Sequence, residues 1–356
     1  MKQPIKHILV IRFRRVGDSV LAVALCSSLK KSFPDARIDF VLNENIASLY
    51  EGHPDIDRVI SFSDAENHSF GKYVQRVRNV MKETDYDVII DMRSTVKTLW
   101  FSLFSMHTPF RIGTKKKYNG LVHNYRVDNH CDSSSDMVQH NLRLLEPLAQ
   151  AGKIIYDPTF KLYVSQEERV AFRTYMEKQG IDLSRPVILG SVVTRVIDKM
   201  WSMERMREVL SRIVFKYNPQ IIFNYTGEKE ESLALKLFRD MGNDPHIFMN
   251  IQANTLSELR AMIVNCDFFF GNEGGTRHIA QAFDVPAYAI YSPGISKSVW
   301  LPGNSDKFQG IESVGDPLPV PEGTVSDGHS LVSVEDVWSE VDAMLHKYLR
   351  NRTDKL

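Results

Sequence analysis

Cysteine is scarce in this chain, with three in 356 residues. Cys26, Cys131 and Cys266 stand far apart, without a Cys-x-x-Cys pair or a histidine-rich neighbour. That spacing excludes a disulfide framework and a zinc site, and it fits a reducing cytosol. Long apolar runs are missing too. The richest window, Thr98–Met106, reaches half of the roughly 18 residues that a spanning helix needs, and Ile8–Ile11 is cut off by Arg12, too soon for a signal h-region. The expectation is a cytoplasmic protein whose contact with a membrane is at most peripheral, at the inner face. Net charge is absent as well: Lys+Arg and Asp+Glu are both 44, where a nucleic-acid-binding domain would have a pI above about 9. Nucleic acid is therefore not expected as a partner. The halves differ slightly, since residues 1–160 hold 22 Lys/Arg and 18 Asp/Glu, leaving 22 and 26 for the rest. That asymmetry points to an anionic partner for the first half or to ordinary surface drift. Finally, Arg14–Asp18 has one glycine where the Gly-x-Gly-x-x-Gly fingerprint needs three, which argues against a nicotinamide site.

What is present is a globular composition, 43% hydrophobic and 25% charged, in a chain long enough for two domains. Short β-branched runs alternate with helical stretches. His7–Phe13, Ala36–Leu42, Arg58–Phe62 and Asp87–Met92 read as strands, with helices over Ser19–Lys31 and Tyr73–Lys82. The pattern restarts with strands at Pro186–Gly190, Gln220–Tyr225, Asp267–Gly271 and Ala287–Tyr291. Helices are predicted over Gln166–Gln179, Ser202–Tyr217, Glu228–Met241, Ser257–Asn265 and Thr276–Phe283. Alternation of this kind predicts an α/β protein of two doubly wound, Rossmann-like domains with a cleft between them. We place them at 1–170 and 171–330, with a Pro/Gly-rich loop over Pro317–Gly328 and a closing helix within 331–356.

Four loops carry chemistry. Gly17 and Asp18 follow the first strand and open the first helix, where doubly wound folds bind ligands; Asp18 is a helix cap or a general base. Phe270–His278 runs from a buried strand into Gly274-Gly275 and a helix start, which is either an ordinary tight turn or a phosphate site. As a phosphate site, the N–H groups of Gly275, Thr276 and Arg277 would face a diphosphate, with Glu273 accepting from sugar hydroxyls and Arg277 or His278 adding a positive or hydrogen-bonding group. The loop Gly190–Trp201 brings Arg195 and Lys199 to the same phosphates, or is a solvated basic loop. Val96, Leu99, Trp100, Leu103 and Phe104 form an apolar stripe read as core. Arg111 and Lys115-Lys116-Lys117 follow it, and the lysine cluster suits an acceptor's phosphates or an anionic leaflet. The Asp-x-Asp pairs Asp55/Asp57 and Asp85/Asp87 lie before strands and read as turn residues, so no metal site is predicted.

Taken together, these segments resemble the ADP-heptose:lipopolysaccharide heptosyltransferases, glycosyltransferase family 9, of GT-B fold. Ile8–Asp18 with Phe33–Asp39 resembles the family's first strand, "GD" loop and second strand. Tyr86–Met92 followed by Phe110–Gly113 resembles its "D-x-x-I-D-x…R-I-G" segment. Lys199-x-Trp201 resembles its "K-x-W" donor loop, and Gly271–His278 with Ala280–Pro286 its "D-T-G-x-x-H" segment, Glu273-Gly274-Gly275 standing in place of "D-T-G". The matches run in order from about residue 7 to 302.

The resemblance implies an inverting, metal-independent glycosyltransferase of lipopolysaccharide core assembly with no cofactor beyond its nucleotide-sugar co-substrate, ADP-heptose leading. Asp18 and Lys199 would be catalytic, Asp18 as base and Lys199 at the departing diphosphate. Thr194, Arg195, Trp201, Thr226, Gly227, Glu228, Glu230, Glu273, Gly274, Gly275, Thr276 and His278 would bind the donor. Arg15, Gly17, Arg93, Arg111, Lys115, Lys116 and Lys117 would bind the lipid-linked or oligosaccharide acceptor. The alternatives are another nucleotide-sugar donor on the same fold, or an idle sugar-nucleotide-binding protein.

Overall fold

The computed structural model describes residues 4–129, 134–152, 154–313 and 332–350. The chain divides into two compact units, Met1–Tyr163 and Val164–Leu356. The division falls a few residues before position 170, because the Gln166–Lys178 helix packs within the second unit: its Glu168 binds Arg260 at 2.6 Å and Ser257 Oγ at 2.7 Å. Cys131 and the Pro317–Gly328 segment lie outside the described residues.

The first unit holds six parallel strands: β1 His7–Ile11, β2 Arg37–Asn43, β3 Arg58–Phe62, β4 Val88–Asp91, β5 Phe110–Thr114 and β6 Tyr125–Val127, in the order β3-β2-β1-β4-β5-β6. Parallel strands covered on both faces need continuous apolar runs rather than alternation, which is how HILVI and VIID read. On one face Leu9, Ile11, Val41 and Phe62 pack with Tyr73 and Val77 of the Phe70–Glu83 helix. The Val16–Ser32 helix is apolar nearly all round, and twelve of its residues, Gly17 to Leu29, are buried. That is the signature of a helix enclosed in protein.

The second unit repeats the plan with β7 Val187–Ser191, β8 Gln220–Phe223, β9 Ile247–Phe248, β10 Phe268–Asn272, β11 Ala287–Tyr291 and β12 Phe308–Glu312, ordered β12-β11-β10-β7-β8-β9. The Val334–Arg350 helix belongs to this unit. It buries Val337, Val341 and Leu345 and is pinned to the Met203–Tyr217 helix by Arg212–Glu335 and Lys216–Asp342 pairs at 2.6 Å.

Both sheets reverse strand order beside their first strand, between β1 and β4 and between β7 and β10. Loops leaving the carboxyl ends of those strands splay apart, leaving the crevice in which such sheets bind ligands. Among the described residues each unit carries one buried cysteine, Cys26 on the Val16–Ser32 helix and Cys266 before β10, and burial raises both thiol pKa values. Among the described residues no helix is long and apolar enough to cross a membrane.

One expectation is corrected. Of the stripe read as core, Val96 and Leu103 are exposed and Leu99 is half-buried, whereas Trp100 and Phe104, also half-buried, do pack against the core of this unit. The helix there, Leu99–Leu103, has five residues, too few for helical spacing to define an inner face. The residue that enters the core is Phe101, which contacts Phe62 and Phe13.

Candidate functional site

The first crevice is built from three loops. Beyond β1, the Phe13 ring wedges among Phe62, Tyr73 and Phe101 at 5.3, 6.2 and 6.4 Å, fixing the loop from below. Arg14 then takes a left-handed φ of 92° and donates its N–H to Asn43 Oδ1, 2.8 Å away at the end of β2. This turn starts the Val16–Ser32 helix at the switch point, with Asp18 in its first turn. Asp18 does not cap that helix; its Oδ1 accepts from Arg12 Nη2, and 22% of its side-chain surface stays open. Arg93, on the loop after β4, joins the cluster: its pKa is lowered first by burial and then by Arg14 and Arg12, with Asp18 acting in the opposite sense. The result is the partly open Asp18 carboxylate among three guanidiniums at the carboxyl edge of the sheet, with the buried Asp91 as a second acidic group acting on Arg93.

Asp91 and His123, which sequence reasoning missed, fix that edge. Asp91 ends β4 fully buried, and its Oδ1 accepts from the N–H groups of Arg93 at 3.1 Å and Ser94 at 2.8 Å. Ser94 is thereby held in a left-handed φ of 49°. Asp91 Oδ2 stands 3.8 Å from His123 Nε2, beyond hydrogen-bond range. Burial pushes the carboxyl up to about 6, against the Thr98 hydroxyl and the Ser94 and Arg93 N–H groups. Burial, then Arg111, pushes the imidazole down to about 4. Gly113 makes room for this pair, because a Cβ there would lie 2.3 Å from His123 Nδ1 and 2.4 Å from Ser94 Oγ.

The proposed acceptor residues separate. Gly17 is buried at the crevice, Arg15 is exposed beside it, and Lys115, Lys116 and Lys117 are exposed on the loop after β5. Arg111 is not available: its guanidinium is buried and donates to the carbonyls of Met106 and Thr108 at 2.6 Å and Val122 at 2.9 Å. It holds the β5 loop together rather than gripping a ligand. The Asp-x-Asp pairs also serve the fold. Asp57 accepts from Lys30 and the Ile38 N–H, Asp55 from Ser27, and Asp87 from the N–H groups of Lys6 and His7.

In the second unit, Gly271 has a φ of 140°, and a Cβ there would lie 2.3 Å from Ser191 O. Its glycine lets β10 close onto β7. Asn272, fully buried, uses both ends of its amide: Nδ2 donates to Ser191 O at 3.0 Å and Oδ1 accepts from the Trp201 N–H at 2.8 Å. The loop bearing Lys199 is thus tied at both ends to the strand that leads into Glu273 and Gly274. Lys199 is half-buried at the end of the Ile197–Lys199 turn, Arg195 is exposed, and Thr194 donates to Val196 O at 2.6 Å.

The Gly275–Ala282 helix starts after Gly274 without a side-chain cap, so its first N–H groups and its dipole face the crevice. Glu273 and Thr276 are half-buried there. On the neighbouring loop Gly227 adopts a φ of 75°, Glu230 accepts from the Thr226 N–H at 2.8 Å, and Glu228 is exposed.

Two expected donor ligands are corrected. Trp201 is fully buried in the core, where its indole donates to Val332 O at 3.2 Å; it anchors the loop instead of touching a donor. His278 is buried against the Arg277 guanidinium, and burial, then that charge, hold its pKa well below the ordinary value. It therefore brings no positive charge. Arg277, equally buried, is committed to Gln281, His278 and Trp300 O.

Comparison with known proteins gives these crevices a context. The model of glycosyltransferase family 9 (heptosyltransferase) matches residues 74–308. Lipopolysaccharide heptosyltransferase 1 of Campylobacter coli is 22% identical over 289 residues, covering 80% of this chain and 83% of its own. The glycosyl transferase family 9 structure from Veillonella parvula superposes with a TM-score of 0.81 at 18% identity, over 98% of this chain and 99% of that one. The Escherichia coli heptosyltransferase solved with ADP-2-deoxy-2-fluoro heptose superposes with a TM-score of 0.68 at 14% identity, over 95% and 99%. The α/β, GT-B-type fold of two Rossmann-like domains is shared with them.

Proposed function

The chain belongs to glycosyltransferase family 9, and we propose that this glycosyltransferase moves heptose from ADP-heptose onto a hydroxyl of a lipid-linked lipopolysaccharide core acceptor, with inversion and without a metal ion. The observation that carries the reading is Asp18: a carboxylate at a switch point, held by Arg12 and not spent on capping. With Oδ1 on Arg12, Oδ2 is the atom for the acceptor. As the hydroxyl oxygen attacks the anomeric carbon, Oδ2 takes its proton. The carbon–oxygen bond to the diphosphate breaks on the opposite face, and its electron pair leaves with ADP. Arg93 and Lys115–Lys117 orient anionic groups of the acceptor.

Donor recognition is assigned to the second unit. Lys199 and the first N–H groups of the Gly275–Ala282 helix take up the charge that develops on the diphosphate, as fixed dipoles and one cation. Thr194 and Arg195 flank it, Glu273 and Thr276 meet the heptose hydroxyls, and Glu228 the nucleoside. ADP-heptose is favoured because the Escherichia coli relative was solved with a fluorinated analogue of it. The acceptor places the enzyme at the cytoplasmic side of the membrane.

Asp18→Asn tests the reading. Loss of the base lowers kcat by about 10²- to 10⁴-fold, with the affinity for ADP and the thermal midpoint unchanged. Release of ADP from ADP-heptose in the presence of acceptor is the readout, and a variant of near-native kcat would refute the assignment.

A further inference from the structure

We propose that Asn43 is a positioning residue for the transfer: its side chain holds the turn at Arg14 in the backbone conformation that brings Arg12 and Asp18 together. The proposal rests on the reading of Asp18 as the base, though half of its test needs no turnover. Asn43 touches no reacting atom. It stands half-buried at the end of β2, on the strand beside the one that leads to Asp18.

The ladder between β1 and β2 shows what the side chain replaces. Val10 lies opposite Phe40 and Ile11 opposite Val41, and just past the strand the Arg12 N–H still donates to Val41 O at 3.0 Å. In a parallel ladder alternate residues bond alternate partners, so the next rung would run from the Arg14 N–H to the main-chain carbonyl of Asn43. That carbonyl is committed elsewhere, because Asn43 is the N-cap of the Glu44–Ala47 helix and an N-cap carbonyl serves the first helical turn. The side chain fills the rung in its place: Oδ1 accepts from the Arg14 N–H at 2.8 Å. An asparagine at an N-cap ordinarily binds an N–H of its own helix, and here that bond is absent. Local stabilisation of one helix is given up to hold the loop that starts another.

What the rung holds is a turn that would otherwise relax. Arg14 has a φ of 92°, a conformation that a residue with a Cβ disfavours. Its side chain is exposed, so packing does not keep it there. Just before it, Phe13 is wedged against Phe62, the residue opposite Asn43 in the β2–β3 register. Between the Phe13 wedge and the Asn43 rung the chain turns back, and Arg12 on one side of the turn meets Asp18 on the other. Loss of the rung lets Arg14 return to negative φ, which moves the helix start and its carboxylate away from Arg12.

The test is a double-mutant cycle of Asn43→Ala and Arg14→Gly in the full chain, read by ADP release in the presence of acceptor and by hydrogen exchange of the Arg14 amide. With Arg14 in place, Asn43→Ala should lower kcat about tenfold, since a left-handed residue other than glycine is disfavoured by about that factor. The acceptor KM and the affinity for ADP should stay as they are. In the Arg14→Gly background the same change should lower kcat no more than about twofold, because glycine takes positive and negative φ about equally. Whatever Arg14→Gly does alone drops out of that comparison. The Arg14 amide should exchange faster in Asn43→Ala, with or without substrates. Equal losses in the two backgrounds, a loss confined to the acceptor KM, or unchanged exchange would each overturn the inference. Faster exchange in a protein whose transfer survives Asp18→Asn would leave the rung standing and remove the base reading instead.

Discussion

Asp91 and His123 illustrate how a buried pair can hide its own titration. With its folded-state pKa raised from 3.8 to about 6, Asp91 keeps a proton in the native state that the unfolded chain has lost between those values, so stability falls as pH rises through that window. His123, lowered from 6.5 to about 4, does the opposite: the unfolded chain holds the proton, and stability rises from about pH 4 to 6.5. The two slopes oppose each other in the native protein. Asp91→Asn removes the falling one, so stability should rise more steeply with pH in the variant than in the native protein, by up to about 1.4 kcal/mol per pH unit across that range. Urea unfolding of both at pH 4.5, 5.5 and 6.5 reads the difference; equal slopes would show that Asp91 is ionised in the fold. Sequence reasoning gave neither residue a role, although Asp91 is the second aspartate of the Tyr86–Met92 segment. Asp91 ends an apolar run like any strand terminus, and His123 meets it only because Gly113 lacks a side chain. Asp18 was singled out by its place between a strand and a helix, with cap and base both open; that it bonds Arg12 instead of capping the helix depended on the fold of the loop.

At the level of elements, the central strands were readable because a parallel sheet buried on both faces demands uninterrupted apolar runs, and HILVI, VIID and AYAIY supply them. The outer strands β5, β6, β9 and β12 are short or polar, as FRIGT, YRV, IF and FQGIE show, and only pairing in three dimensions defines them. The loop from β7 to Trp201 was placed correctly along the chain, but its tryptophan is a core anchor and its true clamp is Asn272. The two glycines nearby now separate fold from ligand. Gly271→Ala puts a Cβ against Ser191 O at a φ that disfavours it, costing about 3 kcal/mol or more. Gly274 is extended, and a Cβ there would meet nothing within 4 Å, so Gly274→Ala should keep the urea midpoint and weaken ADP binding at least tenfold. Unchanged affinity would remove that helix start from the donor site.

For the whole molecule, the two units repeat one plan at both crevices. In each, the strand across from the first ends in a buried polar side chain, Asp91 or Asn272, that binds backbone of the adjoining loops. Chemistry is thereby placed on loops while the sheets stay rigid. What differs is the surroundings: three guanidiniums around a carboxylate in one, an uncapped helix start and Lys199 in the other.

The placing of one enclosed thiol in each unit, among the described residues, gives the molecule two built-in clocks. Neither Cys26 nor Cys266 reacts while its surroundings are closed, so the rate at which each is modified in a Cys131→Ser background counts how often that unit opens. A nucleotide held by the second unit alone must slow the Cys266 clock in proportion to occupancy and leave the Cys26 clock running at its own pace. ADP slowing both equally would mean that the units open as one; a choice of UDP over ADP would move the donor. Quantified by mass spectrometry, the pair of rates therefore reports which half of the protein a ligand has chosen.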